Sequence, residues 1–259
     1  MTAVATTGSE RIARAFLRAK TERRVAIAIY LTVGYPERAA TGPLLRAALD
    51  GGADVLELGV PFSDPLADGA TVQRASEVAL ANGITVADCI AEARSVVAER
   101  GAAVLLMGYA NPFLQYGLDR FARDARLAGA AGVIVPDLPA EEAAPVDAAL
   151  GPAGLVRIDL YAPTTPDVRL ARLVPASRGF VYCVSLTGVT GFVARVRKHT
   201  ALPIVLGFGI SEPSHVAALR GLVDGVAIGS AAIDAVTAAS DKAAALRVFV
   251  RGLYDAGRS

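Results

Sequence analysis

The amino-acid sequence predicts an α/β fold, a (β/α)8 TIM barrel, because three features of a closed parallel barrel occur together. Eight short apolar runs are rich in β-branched residues, longer alanine-rich stretches of helical periodicity separate them, and a length of 259 residues suits one such barrel. We expect a single domain over residues 1–259 with an extra N-terminal helix, and a doubly wound open sheet is the alternative. The predicted strands are Val25–Val33, Val55–Val60, Val104–Tyr109, Gly132–Pro136, Val156–Tyr161, Phe180–Ser185, Pro203–Phe208 and Gly225–Ile228.

The stretches between the strands predict amphipathic helices. The segment Glu10–Arg23 precedes the first strand and is expected to close the bottom of the barrel, whereas Asp119–Ala128 belongs to a regular unit. About 43 residues separate the second and third strands, which is enough for a long loop and two helices, Thr71–Asn82 and Val86–Arg100. Gly83 lies between these two helices, where a C-terminal cap is expected.

Composition and charge argue against several classes of function. The formal net charge is +1 and basic residues are scattered among acidic ones, so we expect neither a nucleic-acid nor a membrane-surface partner. No apolar run approaches the roughly 20 residues of a membrane span, and no signal-peptide pattern is present. The two cysteines, Cys89 and Cys183, and the two histidines, His199 and His215, are isolated. The sequence therefore predicts no metal site, and it fits a reducing, cytoplasmic environment.

A carboxylate on the second strand is the first candidate for chemistry. Side chains alternate along a strand, so Leu56 and Leu58 share the face that packs on helices, and Glu57 points into the barrel near its top. A carboxylate there is costly unless it is paired, hydrogen-bonded or protonated. The alternative is a structural ion pair, but no basic residue lies on the flanking strands.

The loop that follows, residues 61–69, carries two more carboxylates. Two prolines and a glycine stiffen this loop, and it contains Asp64 and Asp68. Asp68 alone is equally well explained as the N-cap of the next helix. Together with an inward Glu57, an acid–base pair is the better hypothesis.

Glycines follow the last three strands and predict a phosphate site. Gly188 and Gly191 follow strand six, Gly209 follows strand seven, and Gly229 with Ser230 leads directly from strand eight into a helix. Glycines let backbone N–H groups approach an anion, and these loops bind phosphate in many barrels. The sequence around Gly209 lacks the later glycine and the acidic partner of a dinucleotide fingerprint.

Apolar and aromatic side chains between these two regions predict a slot for a flat, apolar group with a phosphorylated tail. Some of them could instead belong to the barrel core. They are Tyr30, Met107, Tyr109, Ile134, Leu160 and Tyr182.

Five motifs in order resemble those of the tryptophan synthase alpha subunit family, and the likeness runs from about Arg11 to Leu253. The strand-two motif is highly specific, whereas the glycine loops alone are not. The motifs are Leu56–Gly69, Tyr109–Pro112, Pro136–Pro139, Gly188–Gly191 and Gly207–Ser211.

The resemblance implies retro-aldol cleavage of indole-3-glycerol phosphate to indole and glyceraldehyde 3-phosphate, with no metal or cofactor in this subunit. It implies that Glu57 is the acid–base group at C3 of the indole and that Asp68 holds the indole N–H. It also implies that Thr190 forms a hydrogen bond with an aspartate of the loop after strand two when the site closes. The implied phosphate-binding residues are Gly191, Gly209, Gly229 and Ser230. The implied indole pocket consists of Tyr30, at a position where phenylalanine is familiar, Met107, Ile134, Leu160 and Tyr182.

The resemblance also implies a partner. Family members pair with a pyridoxal-phosphate beta subunit in an α2β2 complex, and indole passes between the two sites to make L-tryptophan. Asp64 and Pro65 match the loop that touches this partner.

One departure from the family concerns the lid. Members carry a long mobile loop after the Gly188–Gly191 motif, but here Phe192 follows at once and begins the predicted sixth helix, so about a dozen residues are absent. Either this chain has lost the lid or disordered residues are missing from the sequence, and we favour the second explanation. A lid excludes water and completes such a site.

Three other functions stay open. A lidless barrel could bind the phosphate ligand and only activate the beta subunit, or a lyase could release indole without any partner. A sugar-phosphate epimerase is the least favoured, because that chemistry usually uses metal-bound histidines in the barrel, and His199 and His215 fall on predicted helices.

Overall fold

Eight parallel strands form a closed barrel in the computed structural model, which describes residues 6–184, 188–207 and 209–258. Each strand pairs with its neighbours in chain order, and β1 pairs with β8 to close the ring. The predicted barrel is therefore confirmed, and the doubly wound sheet is wrong. The strands are β1 Ala26–Thr32, β2 Val55–Gly59, β3 Ala103–Met107, β4 Gly132–Ile134, β5 Val156–Tyr161, β6 Val181–Val184, β7 Ile204–Gly207 and β8 Gly225–Ile228.

Helices surround the barrel and connect its strands. No helix within the described ranges has the length and apolar character needed to cross a bilayer. Gly83 adopts a left-handed conformation between α3 and α4, as the sequence predicts. The α-helices are α1 Gly8–Thr21, α2 Thr41–Gly51, α3 Ala70–Ala81, α4 Val86–Arg100, α5 Ala110–Tyr116, α6 Leu118–Ala128, α7 Ala144–Leu150, α8 Asp167–Leu173, α9 Val189–Arg197, α10 Pro213–Ala218, α11 Ser230–Thr237 and α12 Lys242–Ala256.

The strands divide the core into an outer and an inner layer. Leu56 and Leu58 point outward and pack in the layer between strands and helices, whereas Val55 and Leu105 belong to the interior of the barrel. This alternation follows from the two-residue period of a strand. It leaves the inward positions near the carboxyl ends of the strands available for function.

Helix α1 seals the N-terminal end of the barrel. Its side chains Ile12 and Phe16 are buried in the inner core, where the Phe16 ring lies 5.5 Å from that of Phe180. The helix begins two residues earlier than predicted, because the Thr7 side chain accepts a hydrogen bond from the Glu10 backbone N–H and the Glu10 side chain accepts one from that of Thr7. This capping box fixes the first turn.

A buried ion-pair network lies at the same end. Arg24 and Asp54 are both buried, and Arg24 Nη2 lies 2.8 Å from Asp54 Oδ1. Asp54 also accepts a hydrogen bond of 2.9 Å from the backbone N–H of Ile27 and another from Arg18, so α1, β1 and the start of β2 are joined through one carboxylate. Because the charged groups of such a network have hydrogen-bond partners, removing one member leaves a buried group without its partner and lowers the stability of the fold.

We expect Asp54→Asn to lower the free energy of unfolding by about 3 kcal/mol, because it leaves the buried Arg24 with only the partly exposed Glu22 as a charged partner. Urea denaturation measures this loss. The control Arg18→Gln removes a side chain that is 53% exposed, and we expect it to cost less than about 1 kcal/mol. Equal losses in the two variants would show that the buried pair is not the stabilising element.

Candidate active site

The carboxyl ends of the strands open into a cavity of about 360 Å³. It joins the predicted acidic residues Glu57 and Asp68 to the glycine-bearing ends of strands seven and eight. Active sites of barrels of this type lie at this end. The lining residues are Tyr30, Glu57, Asp68, Gly69, Val72, Met107, Tyr182, Gly209, Ile210, Ser211, Ala227, Gly229, Ser230, Ala231 and Asp234.

Glu57 lies inside the barrel, as the alternation of strand two predicts. It is opposite Tyr30 of β1 and Leu105 of β3, and it is only 1% exposed. Neither carboxyl oxygen has a hydrogen-bond partner among the described residues, so the alternative of a structural ion pair is wrong. Burial raises the pKa of Glu57 to about 8, because an ionised carboxylate here has lost its water.

Asp68 is half-buried at the end of the loop after β2. The N-cap of α3 is Gly69, with no side-chain capping bond, so the helix-cap explanation of Asp68 is wrong. Burial raises the pKa of Asp68, and a hydrogen bond with the Tyr109 hydroxyl opposes this by lowering it. That hydroxyl also accepts a 2.8 Å hydrogen bond from the Ala67 backbone N–H, which ties the loop to the end of β3.

Two tyrosine rings form part of the cavity wall. Tyr30 lies over Gly59 and Tyr182 lies over Gly207, and a Cβ on either glycine would overlap the ring. Burial raises the pKa of both phenols, so they stay neutral at any ordinary pH. The two glycines are therefore required by the close approach of the aromatic rings.

The predicted indole-pocket residues do not all reach the cavity. Tyr30, Met107 and Tyr182 line it, whereas Ile134 and Leu160 are not among the described residues of the lining. Ile134 is fully buried in the inner core, and Leu160 packs against that core half-buried. This placement corresponds to the barrel-core alternative for these two residues.

Three of the four predicted phosphate-binding residues reach the cavity. Gly209, Gly229 and Ser230 lie together in the lining, and Gly209 has a φ of +75° that favours glycine. Ser230 begins α11, and no side-chain capping bond occupies the N-terminus of that helix. Its first N–H groups and the helix dipole are suited to a phosphate group.

Gly191 and Thr190 are placed differently from the prediction. Both are exposed in the first turn of α9, which begins at Val189 rather than after Gly191, and neither is in the described lining. The Phe192 backbone N–H donates to the Gly188 carbonyl at 3.1 Å, and the Phe192 side chain is buried. Helix formation across the motif thus leaves no loop between Gly188 and Arg197. The predicted strand-end residues Ser185 and Phe208 lie outside the described residues.

Asp234 is the charged residue among the lining residues that the sequence reasoning missed, which also include Val72, Ala227 and Ala231. Asp234 lies on α11, four residues after Ser230, and its carboxylate accepts a 3.3 Å hydrogen bond from the Thr71 hydroxyl of α3. The helical spacing from Ser230 is a signal that could have found it, since residues four apart share a face. This contact joins the helix after Asp68 to the helix of the phosphate candidates.

Together these features define a (β/α)8 barrel in which a buried acid and the glycine-bearing ends of two strands line one cavity. The chain also matches the family model described as tryptophan synthase alpha chain over residues 16–253. It belongs to the tryptophan synthase alpha chain family. Proteins of this family cleave indole-3-glycerol phosphate in tryptophan biosynthesis, and the chain is accordingly a lyase.

Alignments with known relatives support this assignment and cover most of the length of each relative. The alpha chain of Roseiflexus castenholzii is 53% identical over an alignment of 239 positions, which covers 87% of this chain and 91% of the relative. That of Chloroflexus aggregans is 46% identical over an alignment of 260 positions, which covers 95% of this chain and 97% of the relative. A crystal structure of tryptophan synthase from M. tuberculosis superposes with a TM-score of 0.91 at 37% identity, covering 96% of this chain and 99% of that one.

The raised pKa of Glu57 predicts a pH-dependent penalty on stability. Below pH 4.5 the carboxyl group is protonated in both states; between 4.5 and about 8 only the unfolded chain loses the proton, so stability falls as the pH rises. Glu57→Gln has no titratable proton at this position. As the pH rises through this window, we expect the free energy of unfolding of the variant to increase relative to that of the wild type, by up to about 1.4 kcal/mol for each unit of pKa difference between the folded and unfolded states. Urea denaturation at pH 5 and pH 8 measures the gap, and a gap of constant size would contradict the buried-acid assignment.

Proposed function

We propose that Glu57 and Asp68 perform the cleavage of indole-3-glycerol phosphate, with Glu57 as the acid–base. The observation that carries this proposal is the buried Glu57 carboxyl group, without a partner among the described residues, in one cavity with Asp68, Gly229 and Ser230. A buried acid that no protein group satisfies is suited to exchange its proton with a bound substrate.

Protonated Glu57 supplies the first proton. With a pKa of about 8 the group is mostly neutral at pH 7, so it can donate to C3 of the indole ring. This protonation makes the ring an electron-poor indolenine with positive charge on its nitrogen. The half-buried Asp68 carboxylate, oriented by Tyr109, accepts the indole N–H and stabilises that charge.

Bond cleavage then follows as a retro-aldol step. The Glu57 carboxylate takes the proton of the hydroxyl group on the glycerol carbon attached to C3, that carbon becomes the aldehyde of glyceraldehyde 3-phosphate, and the electrons of the breaking C–C bond return to the indole ring. The proton count balances, because Glu57 gives one proton and receives one. We propose that this subunit uses no cofactor, since the protonated ring itself accepts the electrons.

The other end of the cavity suits the phosphate group of the substrate. Gly209, Gly229 and Ser230 surround the uncapped N-terminus of α11, and the rings of Tyr30 and Tyr182 suit the flat indole. The three glycine and serine positions give backbone N–H groups close access to the anion. Gly191 has no part in this assignment.

We further propose that the loop of residues 61–69 docks on a pyridoxal-phosphate beta subunit in an α2β2 complex that uses the released indole. Asp64 is exposed, Pro65 is half-buried, and Leu66 is 93% exposed at the mouth of the barrel. A fully exposed leucine in a proline-stiffened loop suits a protein contact. The buried free thiols of Cys89 and Cys183 fit a cytoplasmic enzyme.

A second candidate function is a barrel that binds the phosphate ligand and activates the beta subunit without cleaving the ligand. The placement of Thr190 and Gly191 in α9, away from the cavity, favours it, because a closing loop would otherwise exclude water from the reaction. Wild-type protein that binds indole-3-glycerol phosphate but releases no indole, alone or with a beta subunit, would establish this alternative.

We expect Glu57→Gln to reduce kcat for indole release by about 10²–10⁴-fold, because the amide cannot exchange the proton. The assay follows indole from indole-3-glycerol phosphate, with and without a beta subunit, and circular dichroism verifies folding. The matched control Glu37→Gln changes an exposed acid outside the cavity lining and should keep wild-type turnover. Unchanged turnover in Glu57→Gln would exclude the acid–base role.

We expect Leu66→Asp to weaken binding to a tryptophan synthase beta subunit by about tenfold or more, since a charge replaces an apolar contact. Leu127→Asp is the control, because Leu127 is 69% exposed on α6. Gel filtration and calorimetric titration measure the complex. Failure of the wild type to form any complex would instead favour a lyase that acts without a partner.

A further inference from the structure

A second cavity, of about 320 Å³, opens at the opposite end of the barrel from Glu57. It lies between α1 and the segments that lead into two strands, with Ala53 and Asp54 before β2 and Gly101 and Ala102 before β3. The N-terminal ends of parallel barrel strands all meet at this face. The cavity is therefore separate from the site assigned to the lyase reaction.

Four arginines line this cavity: Arg11, Arg14 and Arg18 from α1, and Arg100 from the end of α4. The one carboxylate in the described lining is Asp54, which already accepts hydrogen bonds from Arg18, Arg24 and a backbone N–H. Asp54 is thus neutralised from the protein side. Arg100 pairs with Asp50 and Glu99 just outside the lining, at 2.9 Å and 3.1 Å. The positive excess of the cavity wall therefore comes from Arg11 and Arg14.

Arg11 is the centre of this excess. It is half-buried, and no side-chain hydrogen bond or ion pair joins it to another described residue. Burial lowers the pKa of Arg11, and the nearby charges of Arg14 and Arg126 lower it further. Arg126 is likewise half-buried, with no carboxylate partner in the described part of the chain, whereas Arg14 donates to the Thr6 hydroxyl at 2.9 Å. Clustered cations that lack a carboxylate are stabilised when an anion joins them.

We propose that this cavity binds a small molecule that carries two or more phosphate groups. Guanidinium groups match phosphate oxygens in pairs of parallel hydrogen bonds. Arg11 and Arg14, which have no ion pair among the described residues, can each hold one phosphate, whereas Arg18 and Arg100 keep their carboxylate partners. The concave shape favours a small ligand over an extended polyanion, which would need a broad basic surface. A bound ligand would link α1 to the turns before β2 and β3.

The test uses inorganic pyrophosphate as the probe and the 259-residue chain at low ionic strength. The backbone amide signals of Gly101, Ala102 and Ala103 in a ¹⁵N NMR titration report on this cavity, whereas those of Gly209 and Gly229 report separately on the candidate phosphate site of the lyase. We expect saturable shifts at residues 101–103. Failure of the lyase assignment would leave those shifts unchanged, so the two proposals are tested independently.

Arginine variants identify the ligand-binding groups. We expect Arg11→Gln to weaken pyrophosphate binding at residues 101–103 by about tenfold, the loss of one charge-assisted hydrogen bond or more. Arg14→Gln, at an exposed position, serves as a second variant if Arg11→Gln is poorly folded, and should weaken binding in the same direction. The control Arg247→Gln removes the same charge from an exposed position on α12 outside the described lining, and should bind as the wild type does.

Three results would overturn the proposal. The first is the absence of saturable shifts at residues 101–103 at millimolar pyrophosphate. The second is a response confined to Gly209 and Gly229. The third is an equal loss of binding in Arg247→Gln and Arg11→Gln, which would mean that the probe responds only to total charge.

Discussion

The burial of one carboxyl group, that of Glu57, is the constraint around which the mouth of the barrel is built. An ionised carboxylate in this position would lack both water and a protein donor among the described residues, and the neutral acid is favoured up to a pH of about 8. Strands β1 and β3 hold its backbone from both sides. Tyr30 and Tyr182 line the same cavity with rings that fit only because Gly59 and Gly207 carry no side chain.

Burial keeps the Glu57 carboxyl group protonated, but it lowers the stability of the folded chain. Contacts at the opposite end of the barrel offset this loss of stability. There the side chains of α1 fill the interior, and Asp54, which pairs with the buried Arg24, also joins Arg18 of α1 to the first two strands. These contacts lie at the face where a barrel enzyme has no chemistry to perform, so they can be fully satisfied. The paired charges that stabilise the fold thus lie at one end of the barrel, and the buried acid Glu57, which lowers its stability, lies at the other.

The sequence predicts features that depend on local periodicity better than features that depend on how the barrel closes. The eight strands and the inward direction of Glu57 follow from alternation along each strand, and the fold is confirmed. The depth of Ile134 could not be predicted, because it depends on the three-residue length of β4 and its register with Met107 and Ile158. The start of α9 at Val189 depends on whether a helix can form across Gly191, which the motif alone does not reveal. Asp234 and the arginine-lined cavity depend on contacts between distant segments.

Charge is distributed unevenly between the two ends of the barrel, and this distribution is consistent with the raised pKa of Glu57. The described lining of its cavity contains no lysine, arginine or histidine, but it does contain Asp68 and Asp234. A cation beside Glu57 would lower the pKa of the carboxyl group and remove the proton that the proposed reaction uses. In the proposed function, recognition of the phosphate group relies on backbone N–H groups and the α11 dipole, which attract an anion with partial charges alone. In the proposed function, the glycines after β7 and β8 and the acid on β2 therefore meet one electrostatic requirement: an anion is bound without a cation that would ionise Glu57.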